Sequence, residues 1–279
     1  MIAYQGEPGA FSEQAARKFF GAHAILKPLP AFSDVFTDAE RHPTSFGIVP
    51  IENSLFGSIH QVYDLLLKHK LFIIGEVKLR IELHLMTLPG TKRNSVRTIY
   101  SQLQAIGQCE NFLSTLKNVK VEAVHDTAAA ARFIQERKRN DAAAIASEQA
   151  ARAYGLHILK RNVESNHRNF TRFIALSRKP VQPFGKVKTS IVFAAKDIPG
   201  ALFKALAVFA LRDINLLKIE SRPIIGKPWE YLFYLDVKGT PNRDPLRQAL
   251  NHLKEVCTFV RVLGSYQPFD DSAISRHSK

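Results

Sequence analysis

The sequence predicts an α/β chain organised as two domains, and three observations carry that prediction. Its 279 residues approach the length at which single cores stop growing. Across the first 180 residues short apolar runs alternate with amphipathic stretches, as strands and helices do when they take turns. At 179–188 the stretch KPVQPFGKVK carries two prolines, a glycine and three lysines, and past it the order of the runs changes.

The elements of the first part follow in order. IAYQ at 2–5 reads as a strand and FSEQAARKFF at 11–20 as a helix. A helix at 33–40 precedes a strand at 46–51, GIVPI with its leading Phe46. The helix at 58–69, SIHQVYDLLLKH, sets Ile59, Val62 and Leu66 on one stripe, the face a core needs. Residues 71–88 read as a strand that is broken or bent. Strands at 97–100, 119–125 and 141–146 then alternate with helices at 102–116, 127–138 and 148–154. The last strand, 169–177, puts Thr171, Phe173 and Ala175 on one face and Phe170, Arg172, Ile174 and Leu176 on the other. A hydroxyl and a guanidinium in so apolar a strand are costly unless something uses them.

In the second part TSIVFAAK is a strand, GALFKALAVFALRD a helix, INLLKIESRP and EYLFYLDVK strands, DPLRQALNHLKEV a helix and TFVRVLGSY a strand. That β-α-β-β-α-β order is ferredoxin-like. Asp197 and Pro199, then Asp244 and Pro245, are start signals for its helices. The boundaries are therefore 1–180, a linker at 181–188, a second domain at 189–268 and a flexible polar tail at 269–279.

Composition removes several classes of function. There is no run of about 18 apolar residues, so no membrane span is expected. The N-terminus turns to glycine and proline at once, so a signal peptide is not expected, and the cytoplasmic expectation rests on the two cysteines, read as thiols of a reducing compartment. Cys109 and Cys257 lie far apart without ligand-like spacing, so they read as free thiols, and no metal or other cofactor is expected. The net charge of +14 is dispersed and accompanied by no nucleic-acid motif, so nucleic acid is not expected as a partner.

Small polar residues gather at the strand-to-helix joints: the loop QGEPGAFS at 5–12, Asn53 and Ser54, Ser101, Asp126 and Thr127, and Ser147. In an open α/β sheet such joints lie where ligands bind, and helix N-termini there suit carboxylates or phosphates. The same residue types are the ordinary helix caps, and either reading accounts for any one joint. The loop at 5–12 lacks the Lys of a phosphate loop and the spacing of a dinucleotide turn.

Taken together, YQGEPGAFSEQAA, GIVPIENSLFGSIHQVYDLL, YSQLQAIGQC, HDTAAAA and NHRNFTRFIAL resemble the corresponding segments of prephenate dehydratases. GALFKAL and INLLKIESRPIIGKPWEYLFYLD are similar to their phenylalanine-sensing ACT domain. The resemblance runs in unbroken order from residue 2 to about 268. One stretch departs: where the family commonly has YSHPQ this chain has YSQLQ, with Gln102 and Leu103, which predicts an altered loop.

The resemblance implies a catalytic domain of two α/β lobes, periplasmic-binding-protein-like, with the site in the cleft between them. It implies conversion of prephenate to phenylpyruvate with loss of water and carbon dioxide; arogenate is the alternative substrate, and a silent amino-acid sensor the alternative role. It assigns catalysis to Thr171, Asn53, Ser101 and Gln108, and contacts with the substrate to Arg172, Ser54, Thr127 and Phe173. Gly200, Ala201, Leu202, Asn215, Leu216, Glu220, Ser221 and Arg222 match the segments that bind phenylalanine as effector. A homodimer or homotetramer is implied as well.

Overall fold

The computed structural model describes residues 1–224, 226–227 and 229–269. The chain opens with β1 (Ile2–Gln5), α1 (Phe11–Phe20), β2 (Leu26–Leu29), α2 (Phe32–Arg41), β3 (Phe46–Asn53), β4 (Gly57–Ser58), α3 (His60–Lys68) and β5 (Phe72–Arg80). A second group follows: β6 (His84–Thr87), β7 (Thr98–Gln102), α4 (Leu103–Gln108), α5 (Glu110–Ser114), β8 (Lys120–Val124), α6 (Thr127–Arg137), β9 (Ala142–Ala146), α7 (Glu148–Ala153) and β10 (His157–Lys160). β11 (Phe170–Ser177) then returns to the first sheet.

That first sheet runs β2-β1-β3-β11-β5, with β4 hooked antiparallel onto β3. β1 pairs parallel with both β2 and β3. The second sheet runs β10-β6-β9-β7-β8, parallel from β9 to β8 and antiparallel at β6 and β10. These are the two α/β lobes. β9 is AAAIA and wholly buried; alanine is a poor strand former, so packing under the alanine-rich α6 overrides local preference. β11 lies between β3 and β5 and is buried along almost its whole length.

The remaining elements are β12 (Lys188–Ala195), α8 (Ala201–Ala210), β13 (Leu216–Pro223), β14 (Tyr231–Lys238), α9 (Leu246–Val256) and β15 (Cys257–Tyr266). Their sheet, β13-β14-β12-β15, is antiparallel throughout, and α8 and α9 close its core with Ile191, Phe193, Leu235 and Leu253. The β-α-β-β-α-β order is as expected.

Contacts divide the chain into Met1–Val62 with Val77–Phe173, and Tyr63–Glu76 with the chain from Ile174 onward. Neither strand nor helix occupies 178–187, and the expected tail lies outside the described residues except for Phe269. The broken run at 71–88 is two strands of different sheets, β5 and β6. The helix expected at 102–116 is two, separated at Cys109, whose ψ of 16° leaves the helical range. No helix among the described residues is long and apolar enough to cross a membrane.

Candidate active site

A cleft of about 440 Å³ lies in the first unit, lined from both lobes. From the first sheet come Asn53, Thr171 and Phe173; from the helix starts come Phe11, Ser12, His60 and Gln61; from the second lobe come Gln102, Gln104, Gln108, Asp126 and Thr127. Strand alternation explains the sorting along β11. Thr171 and Phe173 share a face and both reach the cleft, while Arg172 points the other way, to within 3.5 Å of the Glu52 carboxylate.

The polar centre is built on Asn53, at the end of β3. Its Oδ1 accepts the Leu55 and Phe56 backbone N–H groups at 2.9 and 3.1 Å, which closes the turn to β4 and fixes which way round the amide sits. Its Nδ2 therefore donates, to Asn169 Oδ1 at 2.8 Å and to Thr171 Oγ1 at 3.0 Å. With its oxygen engaged as acceptor, the Thr171 hydroxyl can direct its own proton into the cleft. Asn169, wholly buried, is a member of this group that sequence reasoning missed. Its only sequence signal is its place in NHRNFTRF.

Other expected site residues lie elsewhere. Ser101 is buried between parallel strands and donates its hydroxyl to the Ile145 carbonyl at 2.6 Å. Ser54 staples β3 to β11: its hydroxyl donates to the Arg168 carbonyl at 3.0 Å and accepts the Phe170 N–H at 2.9 Å. Neither these two nor Arg172 lines the cleft. Gln108 and Thr127 do, as does Gln102 of the departing YSQLQ stretch, whose neighbour Leu103 is exposed.

Asp126 caps α6 by accepting Ala128 and Ala129 N–H groups. Burial pushes its carboxyl above the usual range, against the backbone donors that pull it down. Among the described residues no three His, Cys, Asp or Glu gather as a metal site needs.

In the second unit a smaller pocket of about 260 Å³ is lined by Gly200, Ala201 and Leu202 at the start of α8, with Trp229 and Tyr231 facing them. Gly200 holds a φ of 74°, a conformation that suits glycine. Asn215 and Leu216 stand at the start of β13, and Glu220, Ser221 and Arg222 further along it. Arg222 pairs with Asp64 at 2.9 Å, and Lys218 approaches Glu220 at 3.7 Å.

Fold and cleft together define a chain with a polar cleft between two α/β lobes in its first unit and a ferredoxin-like β-α-β-β-α-β order in its second. Residues 2–181 match the family model described as prephenate dehydratase, and residues 189–255 match the ACT domain. The chain is 47% identical over 284 residues to an Arabidopsis thaliana protein named arogenate dehydratase/prephenate dehydratase 2, chloroplastic, covering 98% of this chain and 74% of that one. A prephenate dehydratase from Arthrobacter aurescens, solved in complex with L-Phe, is 30% identical with a TM-score of 0.88, covering 95% and 89% of the two chains. The solved structure of GqqA, described as a novel type of quorum quenching acylase, is 32% identical with a TM-score of 0.87, covering 96% of this chain and 97% of that one. The chain belongs to the prephenate dehydratase family, and its activity is that of a dehydratase.

Proposed function

We propose that the cleft converts prephenate to phenylpyruvate, with Thr171 as the group that helps the ring hydroxyl leave. Electrons of the bond to the ring carboxylate flow into the ring, carbon dioxide departs, and the hydroxyl, hydrogen-bonded by Thr171, takes a proton supplied by solvent and leaves as water. Hydroxide is a poor leaving group, so a donor fixed at the departing oxygen is what the substrate lacks. The observation that carries this reading is the chain from the Leu55 and Phe56 N–H groups through Asn53 to Thr171. Each bond polarises the next, so the Thr171 hydroxyl is a stronger donor than a lone threonine. Gln108, Thr127 and Phe173 would seat the ring. Ser101, Ser54 and Arg172 would act by holding β7 and β11 in place.

Arogenate carries an amino group where prephenate has a keto oxygen, and the name of the Arabidopsis relative supports it as a second substrate. Phenylalanine would restrain the enzyme from the pocket at Gly200, Ala201 and Leu202, a reading supported by the ACT match and the L-Phe complex of the Arthrobacter relative. Exposed Leu217 and Ile219 on the edge strand β13 support a homodimer or homotetramer formed through this domain. Two buried free thiols support a reducing cytoplasm.

The test follows both substrates with purified protein, with and without phenylalanine, with sedimentation giving the assembly. Thr171→Val removes only the hydroxyl and should lower turnover about 100- to 1,000-fold without unfolding the protein. Near-normal turnover would remove Thr171 from the mechanism. An N-acyl amide belongs in the same assay, because one structural neighbour is described as an acylase. Its hydrolysis in place of dehydration would favour that second reading.

A further inference from the structure

The loop between β1 and α1, GEPGA at 6–10, belongs to the first lobe, where Gly6 N–H donates to the Leu29 carbonyl and Gly9 N–H to Glu13, yet other hydrogen bonds of the loop cross to the second lobe. Asp126 caps α6 with one oxygen, Oδ1, which accepts the Ala128 N–H at 2.6 Å and the Ala129 N–H at 3.3 Å. A cap needs no more than that, and serine supplies it as well. The second oxygen, Oδ2, accepts the Glu7 N–H at 3.2 Å, 119 positions away in sequence. The approach is so close that a β-carbon on Gly6 would stand 2.5 Å from Oδ2, and the φ of +110° there already favours glycine.

The next helix repeats the arrangement. Ser147 caps α7 by accepting the Ala150 N–H at 3.0 Å, and its hydroxyl donates to the Gly9 carbonyl at 2.6 Å. A β-carbon on Gly9 would lie 2.6 Å from the Ala150 α-carbon. The Glu7 side chain completes the contact: its Oε1 accepts from Arg132 Nη2 of α6 at 2.9 Å, and its Oε2 pairs in charge with the same guanidinium at 2.7 Å. Two helix caps of one lobe thus spend their spare hydrogen bond on one loop of the other. Asp126 also lines the cleft beside Thr127, and Gln5 and Ala10, at either end of the loop, line it too.

We propose that Asp126 is a positioning residue for the dehydration described above, on which this inference rests. By tying the β1–α1 loop to the start of α6, it sets the separation of the two cleft walls and so the seat of the substrate. If Asp126 were a cap and nothing more, serine would replace it without consequence.

The test uses Asp126→Ser, which keeps a cap but falls short of Glu7, and Asp126→Asn, which keeps Oδ1 and turns an N–H against the Glu7 N–H. Because misplacement by about an ångström can cost on the order of 100-fold, kcat/KM should fall about 10- to 100-fold in both, mainly through KM. Exchange of the loop amides with solvent should quicken about tenfold or more. A fall in kcat alone, or a KM within about twofold of wild type in both variants, would overturn the proposal. If the wild type converts neither prephenate nor arogenate, the functional reading fails on its own, and loop exchange still decides the clasp. Unchanged exchange in Asp126→Ser overturns it whatever the activity.

Discussion

Replacing Asn53 by aspartate exchanges one amide nitrogen for an oxygen and leaves the shape alone. Oδ1 keeps its two backbone donors, Leu55 at 2.9 Å and Phe56 at 3.1 Å. The other atom becomes an acceptor facing two oxygens, Asn169 Oδ1 at 2.8 Å and Thr171 Oγ1 at 3.0 Å. Thr171 must then turn its own proton back toward the carboxylate, and none is left for the departing hydroxyl. One lost donor of this kind costs about 100- to 1,000-fold in turnover, or about 2.7–4 kcal/mol. Thr171→Val deletes the same proton outright, so the two penalties should be one penalty counted twice. The double variant should therefore turn over within about threefold of the slower single variant, a coupling energy of about 2.7–4 kcal/mol. The assay is phenylpyruvate appearance for wild type, both single variants and the double. Unfolding in denaturant would report the separate stability cost of Asn53→Asp, about 1–3 kcal/mol for buried acceptors left facing each other. Penalties that multiply in the double variant would refute the reasoning, because Asn53 and Thr171 would then be acting separately.

Two further outcomes concern stability. Arg261 of β15 donates to the Leu66 and Leu67 carbonyls at 3.1 and 3.2 Å and to the His69 and Leu71 carbonyls at 2.8 and 3.1 Å, thereby capping the end of α3. Arg261→Leu should cost about 3 kcal/mol, since hydrogen bonds from a charged donor contribute about 1.5–3 kcal/mol and these share two nitrogens; a thermal midpoint lowered by less than about 2 °C would contradict that. His84 is buried, and its Nδ1 accepts the Asn162 N–H at 3.0 Å. Burial first, and the Arg161 charge second, lower its pKa below the ordinary 6.5. The unfolded chain then binds this proton more readily than the folded one, so this share of stability is complete above about pH 6.5 and is lost as pH falls toward the folded value. Denaturant titrations at pH 7 and pH 5 should show the decline, and His84→Gln should remove part of it; an unchanged slope would count against the assignment.

How much of this was legible in the sequence depended on the range of the interactions. The ferredoxin-like order and most strands of the lobes were legible because burial imposes a period of two or 3.6 on the chain itself. β2, LKPL, was missed because it is a short edge strand with a proline at its third position. β10, also short and at an edge, was missed too. Along β11 the alternation already put Thr171 and Arg172 on opposite faces, but no local signal says which face meets the cleft. That follows from where β3 delivers Asn53, 118 positions away. Asp126 read as a cap and is one; its second oxygen meets a loop that only the folded chain brings near.

The charge of the cleft is an argument about the reaction. The chain carries a net +14, yet among the described residues that line the cleft none is Lys or Arg, and the one carboxylate is Asp126. A dianionic substrate would bind more tightly to a guanidinium, but the ring carboxylate must give up its charge as carbon dioxide leaves. A cation placed on it would stabilise the starting state more than the transition state and slow the step. Neutral donors, the Thr171 hydroxyl and the Gln104 and Gln108 amides, can follow charge from carboxylate to departing oxygen without holding it at either end. On this reasoning the positive surface can steer the anion in from solvent, while Arg172, an obvious carboxylate anchor by residue type, serves better where it is, beside Glu52 on the far face of β11.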